Sequence, residues 1–311
     1  MNRGKGIRLV VTGANGFIGS ALCDFFRRNA LEVTGIARGV RPDQRGEPAP
    51  LLTDQAKWLS CFSACDVVVH TAAMAGDAAE NSLAAFREVN VDATLNLARQ
   101  AAAAGVRRFI FLSSVKVHGE RTEPDQAFTE SSPPAPADPY ALSKHEAEQG
   151  LADIARETGL EVVIIRPPLV YGPGAKGNFQ SLLRWISKGI PLPLGATHNR
   201  RSLVALDNLV DFILTCIDHP AAANQTFLLS DGEDLSTSEL LRRVGQAMGK
   251  PARLIPVPMG VLKFGASLLG KQAMAQRLCG NLQVDISKAR EVLGWEPPVS
   301  VDEGLRRAVR E

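Results

Sequence analysis

The feature that most constrains the fold of this chain is a run of three glycines, Gly13, Gly16 and Gly19. It lies between an apolar segment, residues 7–12, and a segment with helical spacing, residues 17–28. The apolar segment has the length of a buried parallel strand. A tight turn here needs residues without a Cβ atom, and the first amides of the following helix can then approach a phosphate closely. The glycine run therefore predicts a dinucleotide-binding turn in a βαβ unit.

Strand and helix patterns alternate along the first half of the chain. The predicted strands are residues 32–37, 66–70, 108–113 and 161–166, and the predicted helices are residues 81–104 and 140–158. Such alternation predicts right-handed βαβ crossovers. We therefore expect an α/β fold, namely a Rossmann-like, doubly wound parallel sheet.

The pattern becomes less regular from Pro167 onward, where proline and glycine cluster. We divide the chain there into a dinucleotide-binding domain, residues 1–166, and a smaller C-terminal α/β substrate domain, residues 167–311. Some segments of the second part are expected to return to the sheet. Its predicted elements are helices at residues 179–188, 208–218 and 236–248 and strands at residues 202–205 and 227–230.

Charge and cysteine usage exclude several classes of protein. Lys and Arg number 35 and Asp and Glu 33, a balance that argues against a nucleic-acid partner. No run approaches the roughly 20 apolar residues of a membrane span, so we expect no membrane partner. The five cysteines are odd in number and include no Cys-x-x-Cys pair, which favours reduced thiols, no metal and a cytoplasmic location.

The residue after the second strand bears on the choice of cofactor. A site for NAD(H) usually has Asp or Glu there, but this chain has Arg38. The planar guanidinium suits a 2′-phosphate, so Arg38 favours NADP(H) over NAD(H) within an NAD(P)(H) site. The alternative is a solvated arginine at the start of a loop.

Tyr140 and Lys144 are candidate catalytic residues because they lie four apart at the start of a predicted helix and so share a face. A nearby ammonium and an oxidised nicotinamide both favour the phenolate, so we expect the pKa of Tyr140 to be lowered. Ser113 and Ser114 end the preceding strand and could share a proton with Tyr140. The alternatives are a solvated helix face and serines that satisfy strand-end backbone groups.

Together these motifs resemble the extended short-chain dehydrogenases/reductases, the nucleotide-sugar epimerase/dehydratase family. The marks occur in family order across the chain. They are residues 12–19 (Thr-Gly-Ala-Asn-Gly-Phe-Ile-Gly), 70–73 (His-Thr-Ala-Ala), Asn90, 113–114 (Ser-Ser), 140–144 (Tyr-Ala-Leu-Ser-Lys), 166–168 (Arg-Pro-Pro) and 171–174 (Tyr-Gly-Pro-Gly).

The resemblance implies a set of site residues. The implied catalytic residues are Ser114, Tyr140 and Lys144. The implied cofactor-binding residues are Gly13, Asn15, Gly16, Phe17, Ile18, Gly19, Arg38, Ala72, Ala73, Asn90, Ser113, Tyr140, Lys144 and Pro167. The implied substrate-binding residues are Asn178, Arg200 and Arg201, with Asp231 and Arg277 as weaker candidates. Lys116, which departs from the family pattern, is a further candidate. The implied partner is a nucleoside-diphosphate sugar, with UDP as the expected carrier.

Residues 113–120 and 199–203 resemble a subgroup linked to O-antigen and capsule sugars. It contains UDP-4-keto-6-deoxy-N-acetylhexosamine 4-reductases and proteins called UDP-hexose 4-epimerases. We therefore expect hydride transfer at C4, with 4-keto reduction first and epimerisation with retained NAD as the alternative. A non-catalytic NADP(H)-binding sensor or scaffold is the third reading. Lys116 replaces a small family residue and is either a substrate contact or a surface lysine. The family also suggests a homodimer through the helices near residues 82–104 and 140–158.

Overall fold

The computed structural model describes residues 6–37, 61–62, 64–75, 82–175, 177–268, 270 and 272–310. Its strands are β1 (Arg8–Thr12), β2 (Glu32–Ile36), β3 (Val67–His70), β4 (Arg108–Leu112), β5 (Glu161–Arg166), β6 (Leu169–Tyr171), β7 (Leu203–Ala205) and β8 (Gln225–Leu228). Six of them form one parallel sheet in the order β2-β1-β3-β4-β5-β8, and β6 pairs with β7 in a second, parallel sheet. The expected doubly wound α/β fold is confirmed.

The helices of the described residues connect and cover these strands. They are α1 (Phe17–Arg28), α2 (Leu83–Arg87), α3 (Ala93–Ala103), α4 (Pro139–Thr158), α5 (Asn178–Ser187), α6 (Leu206–Asp218), α7 (Thr237–Ala247), α8 (Met259–Leu268), α9 (Gln272–Cys279), α10 (Ser287–Leu293) and α11 (Val301–Ala308). None of them is long and apolar enough to cross a bilayer.

Helices pack on both faces of the main sheet, as the near-continuous apolar strands require. On one face, α1 and α6 bury side chains such as Phe26, Phe212 and Ile213 against the strands. On the other face, α3 and α4 bury Leu97 and Leu151 in the same way. A separate apolar cluster joins α5, α7 and α11 beyond the sheet, including Phe179, Leu241 and Leu305.

The structure differs from the sequence prediction in two respects. The helix expected over residues 81–104 is broken by a π-helical turn at Glu88–Asp92, between α2 and α3. Strand β6 and the helices α8, α9, α10 and α11 were not expected. The sixth strand of the sheet, β8, comes from beyond residue 166, so part of the second half returns to the sheet. The division into two domains at residue 166 stays a prediction.

The carboxyl ends of β1, β3, β4 and β5 form one edge of the sheet. The chain leaves β1 toward β2 on one side and later returns to β3 on the other, so the strand order reverses between β1 and β3. A crevice at such a reversal is where open α/β sheets bind their ligands. The candidate site residues follow these strand ends.

Candidate functional site

The glycine turn after β1 is built without room for side chains. Gly13 has φ +75°, and a Cβ atom there would lie 2.8 Å from the backbone nitrogen of Ala72. A Cβ atom on Gly19 would collide with the carbonyl oxygen of Gly13. The amide of Gly16 donates to that same oxygen at 2.8 Å, and no side chain caps the start of α1. The cradle fits a dinucleotide because the first amides of α1, at Phe17, Ile18 and Gly19, remain available to a pyrophosphate.

A buried histidine ties the ends of β1 and β3 together. Nδ1 of His70 is 2.7 Å from the hydroxyl of Thr12, and Nε2 is 3.0 Å from the hydroxyl of Thr94 on α3. Burial, helped by the charge of Lys144, lowers the pKa of His70 to about 3. His70 is therefore neutral at physiological pH and acts as a structural link under the crevice.

Asn90, on the π-helical turn, holds the loop that follows β3. Its Oδ1 accepts from the amide of Met74 at 2.8 Å, and its Nδ2 donates to the Met74 carbonyl at 3.0 Å. The same Nδ2 donates to the hydroxyl of Ser143, also at 3.0 Å. Both amide protons are thus used within the protein. Asn90 fixes the segment that carries Ala72 and Ala73, and it fixes the turn of α4 next to Lys144.

The two candidate catalytic side chains begin helix α4. Asp138 caps this helix, since its Oδ1 accepts from the amide of Ala141 at 2.7 Å, and Pro139 occupies the first helical position. Tyr140 lies in the first turn, with its ring edge-on to Phe86 at 6.4 Å. One turn later, Lys144 is buried and points at the sheet.

Lys144 contacts the end of β4. Its Nζ donates to the carbonyl of Leu112 at 2.8 Å and lies 4.4 Å from the centroid of the Phe111 ring. Burial lowers the pKa of Lys144 to about 7, although the carboxylate of Glu148 opposes the change. The ammonium is therefore only partly populated near neutral pH.

Burial also sets the state of Tyr140. It raises the pKa of the phenol to about 12, and the negative charge of Asp138 acts in the same direction. In the chain alone, the pKa of Tyr140 is therefore raised, not lowered as we expected. The sequence reasoning considered the nearby ammonium and omitted both desolvation and Asp138.

Ser114 begins the loop after β4. Its hydroxyl oxygen accepts from the amide of Lys116 at 3.2 Å, which leaves the hydroxyl proton free to donate to a ligand. The amide of Val115 donates to the carbonyl of Pro167 at 3.0 Å. The loops that follow β4 and β5 therefore lie side by side, with Ser114 and Pro167 at the same edge.

Ser113 faces the opposite way, into a buried polar network that the sequence analysis missed. Its hydroxyl donates to Glu148 at 2.5 Å, and Glu148 also forms a two-pronged ion pair with Arg166, at 2.9 and 2.5 Å. Arg166 reaches Nε2 of His118 at 2.8 Å. The hydroxyl of Ser113 is thus bonded to Glu148. Of the two serines, Ser114 is the one whose hydroxyl is available to a ligand. One signal was present: Glu148 lies one turn beyond Lys144 on the same helix face.

Lys116 belongs to a cluster of charges beside Ser114. Its Nζ donates to Asp138 at 2.6 Å and to Glu120 at 3.1 Å. Arg277 of α9 lies 3.7 Å from the same Glu120 carboxylate. Burial alone would raise the pKa of Asp138, but the hydrogen bonds from Lys116 and Ala141 hold it below its usual value. The cluster joins two of the predicted substrate-binding residues to the helix of Tyr140.

The other predicted substrate residues lie farther along this surface. Arg200 is exposed, 3.9 Å from Asp125. Arg201 is turned inward and donates to the carbonyl of Gly280 at 3.1 Å. Asn178 opens α5, and its side chain lies outside the described part, as does the whole of Arg38.

Asp231 has a structural role. Its two oxygens accept from the Tyr171 hydroxyl at 2.7 Å, the Ala205 amide at 2.8 Å and the Asn208 amide group at 2.7 Å. This buried set joins β6, β7 and α6. We therefore leave Asp231 out of the proposed substrate pocket.

Cysteines and metal-binding side chains contribute nothing further to this edge. None of the five cysteines, which all lie within the described ranges, is in a disulfide, and burial raises the pKa of Cys23 and of Cys65 to about 11. Within the described ranges, no three His, Cys, Asp or Glu side chains are grouped as they would be around a metal ion.

Comparison with known proteins identifies the family. The model of the NAD dependent epimerase/dehydratase family matches residues 9–229, which include the glycine cradle and the whole of α4. This chain belongs to that family. It is an extended short-chain dehydrogenase/reductase, an NAD(P)-dependent nucleotide-sugar epimerase or reductase.

Several relatives of this family member carry described activities. A Vibrio cholerae protein described as UDP-glucose 4-epimerase is 52% identical over 248 residues, which cover 78% of this chain and 76% of the relative. An Escherichia coli O157:H7 protein, N-acetyl-alpha-D-glucosaminyl-diphospho-ditrans,octacis-undecaprenol 4-epimerase, is 29% identical over 97% of this chain and 94% of its own.

A solved structure shows the same architecture over nearly the whole epimerase-family chain. It is a UDP-glucose 4-epimerase with UDP-glucose from Thermotoga maritima, with a TM-score of 0.78 and 26% sequence identity. The alignment covers 97% of each chain. The resemblance that the sequence motifs indicated is thus confirmed at the level of family and fold.

Proposed function

We propose that the chain transfers hydride at C4 of a nucleoside-diphosphate sugar, with UDP as the carrier. The observation that carries this proposal is the meeting of three side chains with the glycine cradle at one sheet edge. Ser114 follows β4, Lys144 reaches the carbonyl that ends β4, and Tyr140 precedes Lys144 by one turn. The cradle at Gly13 touches the loop after β3, the neighbouring strand.

The residues that would hold the dinucleotide follow from this arrangement. The cradle amides would bind the pyrophosphate, and the loop of Ala72 and Ala73, held by Asn90, would run along it. Lys144 would hold the ribose hydroxyls. A reduced nicotinamide, when bound, supplies hydride to C4.

We assign the overall reaction as 4-keto reduction. Tyr140 donates a proton to the C4 oxygen as that oxygen becomes an alkoxide, and Ser114 donates a hydrogen bond to the same oxygen. The raised pKa of Tyr140 keeps the phenol protonated at neutral pH, as a proton donor must be. A reduced, uncharged nicotinamide adds no positive charge that would favour the phenolate.

Epimerisation at C4 is the second candidate. In this reaction the same three residues first serve the oxidation of C4 to a ketone. The keto sugar then rotates, and the same residues serve the reduction of its other face. The relative that is 52% identical and described as UDP-glucose 4-epimerase supports it. An epimerase retains NAD, whereas a reductase exchanges its cofactor every turnover.

One experiment separates the two reactions. Purified protein is incubated with NADPH or NADH and a UDP-4-keto-6-deoxy-N-acetylhexosamine, and separately with UDP-glucose or UDP-N-acetylglucosamine. Stoichiometric loss of the reduced-nicotinamide absorbance with the keto sugar supports reduction. Interconversion of the C4 epimers without net cofactor loss supports epimerisation. If neither substrate class turns over while the dinucleotide still binds, the chain is a non-catalytic sensor or scaffold.

The preference for NADP(H) is tested at Arg38. Arg38→Asp removes the guanidinium proposed for the 2′-phosphate, so we expect the ratio of kcat/KM for NADPH to that for NADH to fall about ten-fold or more. Arg28→Asp, at the end of α1 and so near the opposite, amino end of the second strand, is the control. An unchanged ratio in Arg38→Asp would show that this arginine has no part in the choice of cofactor.

Two broader expectations belong to this proposal. A 4-keto reductase of this subgroup would serve the synthesis of surface-polysaccharide sugars. For the diphosphate and nucleoside we propose contacts from Lys116, Arg201 and Arg277, which lie near Glu120, from the exposed Arg200, and from Asn178 at the start of α5.

A further inference from the structure

Helix α8 carries an apolar face that the main body of the protein does not cover. Among the described residues, the three most exposed large apolar side chains all belong to it: Val261, Phe264 and Leu268, at 59%, 67% and 73% exposure. Their spacing of three and four residues places them on one side of the helix. Leu262, on another side, packs against the apolar cluster beyond the sheet and holds the helix to the protein. We call Val261, Phe264 and Leu268 the α8 face.

The charge of the chain segment that carries the α8 face is strongly one-sided. Residues 250–284 contain five Lys or Arg and no Asp or Glu, although the whole chain has a net charge of only +2. Two of these cations, Lys250 and Arg253, are exposed just before α8. A third, Arg277, lies on α9 beside the charge cluster of the candidate site. The α8 face is thus an exposed apolar stripe in a purely cationic segment.

We propose that the α8 face docks on the surface of an anionic membrane. An exposed apolar face of this kind marks an interaction site. An amphipathic helix with apolar residues on one side and cations around it lies in the bilayer interface, where the apolar residues enter the headgroup region and the cations attract anionic lipids. This surface association does not require a spanning helix.

A second copy of the chain is the alternative occupant, and the charges disfavour it. A two-fold dimer through the α8 face would bring the same acid-free segment of both copies together, so like charges would face each other. An anionic bilayer meets the apolar face and the cations at once. The proposal departs from the composition-based expectation that the chain has no membrane partner.

The position of the face gives the association a consequence. Helix α9 follows α8, and its Arg277 lies 3.7 Å from Glu120, which pairs with Lys116 two residues after Ser114. Docking through α8 therefore sets the substrate side of the protein near the bilayer. The inference concerns where the protein is held and does not depend on the proposed reaction.

The test measures binding of the full chain to lipid vesicles by co-sedimentation. We expect the protein to pellet with vesicles of mixed phosphatidylcholine and phosphatidylglycerol and to stay in the supernatant with phosphatidylcholine alone. Binding should weaken as salt rises toward about 1 M, because salt screens the attraction to the lipid charge. The affinity of the double variant Phe264→Asp, Leu268→Asp for the vesicles should be lower by about ten-fold or more.

Two controls separate the α8 face from general effects of charge and folding. Ala221→Asp adds the same charge at an exposed position near the amino end of β4, and it should bind like the original protein. Phe264→Leu keeps the face apolar and should also retain binding. Thermal unfolding of each variant checks that it folds.

Two results would overturn the proposal. One is the original protein remaining in the supernatant with both kinds of vesicle. The other is a dimer that the double variant converts to monomer in sedimentation velocity, without vesicle binding by either form. The second result would assign the α8 face to another copy of the chain.

Discussion

Burial decides the protonation of the two side chains proposed to carry the chemistry. Tyr140 and Lys144 lie one turn apart. The charge of each on the other would favour a phenolate and an ammonium, but neither pKa is shifted in that direction. Desolvation raises the pKa of the phenol and lowers that of the ammonium, so both side chains favour their neutral forms. A reaction that begins with a protonated tyrosine suits this resting state.

The first prediction tests the proposed proton donor. Tyr140→Phe removes the hydroxyl and keeps the ring, so we expect kcat to fall by about 10² to 10⁴, the range of a general acid. The dissociation constant for the dinucleotide should change by no more than about two- to three-fold, a small free-energy difference. Steady-state kinetics and a binding titration measure the two quantities. A variant with the original kcat would refute the assignment of Tyr140.

The second prediction concerns Lys144 and the pH dependence of stability. The unfolded chain holds this proton up to a pKa near 10.5, but the folded chain loses it near about 7. Between these values the unfolded state binds more protons, so the contribution of Lys144 to the free energy of unfolding rises with pH. The free energy of unfolding of Lys144→Met, relative to that of the original protein, should therefore be highest at or below pH 7. This relative advantage should shrink by about 3 to 5 kcal/mol as the pH rises to about 10.

Urea unfolding of both proteins across this pH range measures the difference. Lys288→Met is the matched control, because Lys288 also donates to a carbonyl, that of Thr226, and lies over an aromatic ring from a partly exposed position. Its unfolding curve should run parallel to that of the original protein at every pH. A parallel curve for Lys144→Met would contradict the prediction.

At the scale of elements, helix α4 is attached to the sheet by polar contacts at three levels. Asp138, before its first turn, pairs with Lys116 in the loop after β4, Lys144 bonds the end of β4, and Glu148 pairs with Arg166 at the end of β5. These contacts fix the position of the proposed catalytic helix relative to the carboxyl edge of the sheet. The deepest of them, the Glu148–Arg166 pair, is enclosed by Ser113 and His118.

The third prediction breaks this buried pair. Glu148→Gln leaves the guanidinium of Arg166 buried without its counter-charge, so we expect the free energy of unfolding to fall by about 3 to 5 kcal/mol. Urea unfolding, with the slope checked for two-state behaviour, gives the value. Glu303→Gln, which removes an exposed pair with Arg307 on α11, is the control and should change little. If the two substitutions lower the free energy of unfolding equally, the buried pair stabilises the fold no more than the exposed pair, which would contradict the prediction.

At the scale of the whole molecule, α3 and α4 lie side by side on one face of the sheet. The fourth prediction is that two chains associate through this face as a four-helix bundle. Sedimentation velocity at micromolar concentration should show a dimer. Asp153→Arg, at an exposed position of α4 that faces away from the sheet, should shift it toward monomer, because a cation would be buried between the helices. Ala221→Arg should leave the dimer unchanged, and a monomer in the original protein would refute the prediction.

Local sequence patterns were sufficient to predict the main sheet, because the hydrophobic periodicity of a buried strand or an amphipathic helix is visible within a short window. They were not sufficient for α8 and α9, where apolar residues lie on an exposed face. They also did not predict the π-helical turn that carries Asn90 or the bonds of that side chain to Met74 and Ser143, which are distant in sequence.

The sequence by itself determined the family, the α/β sheet and the glycine cradle, because a tight turn after a buried strand restricts which residues can occupy it. It also placed Tyr140 and Lys144 on one helix face. Only the tertiary structure decided their protonation, the inward turn of Ser113 toward Glu148 and Arg166, and the pairing of Lys116 with Glu120 and Asp138. These depend on desolvation and on contacts between distant segments, and no local spacing encodes them.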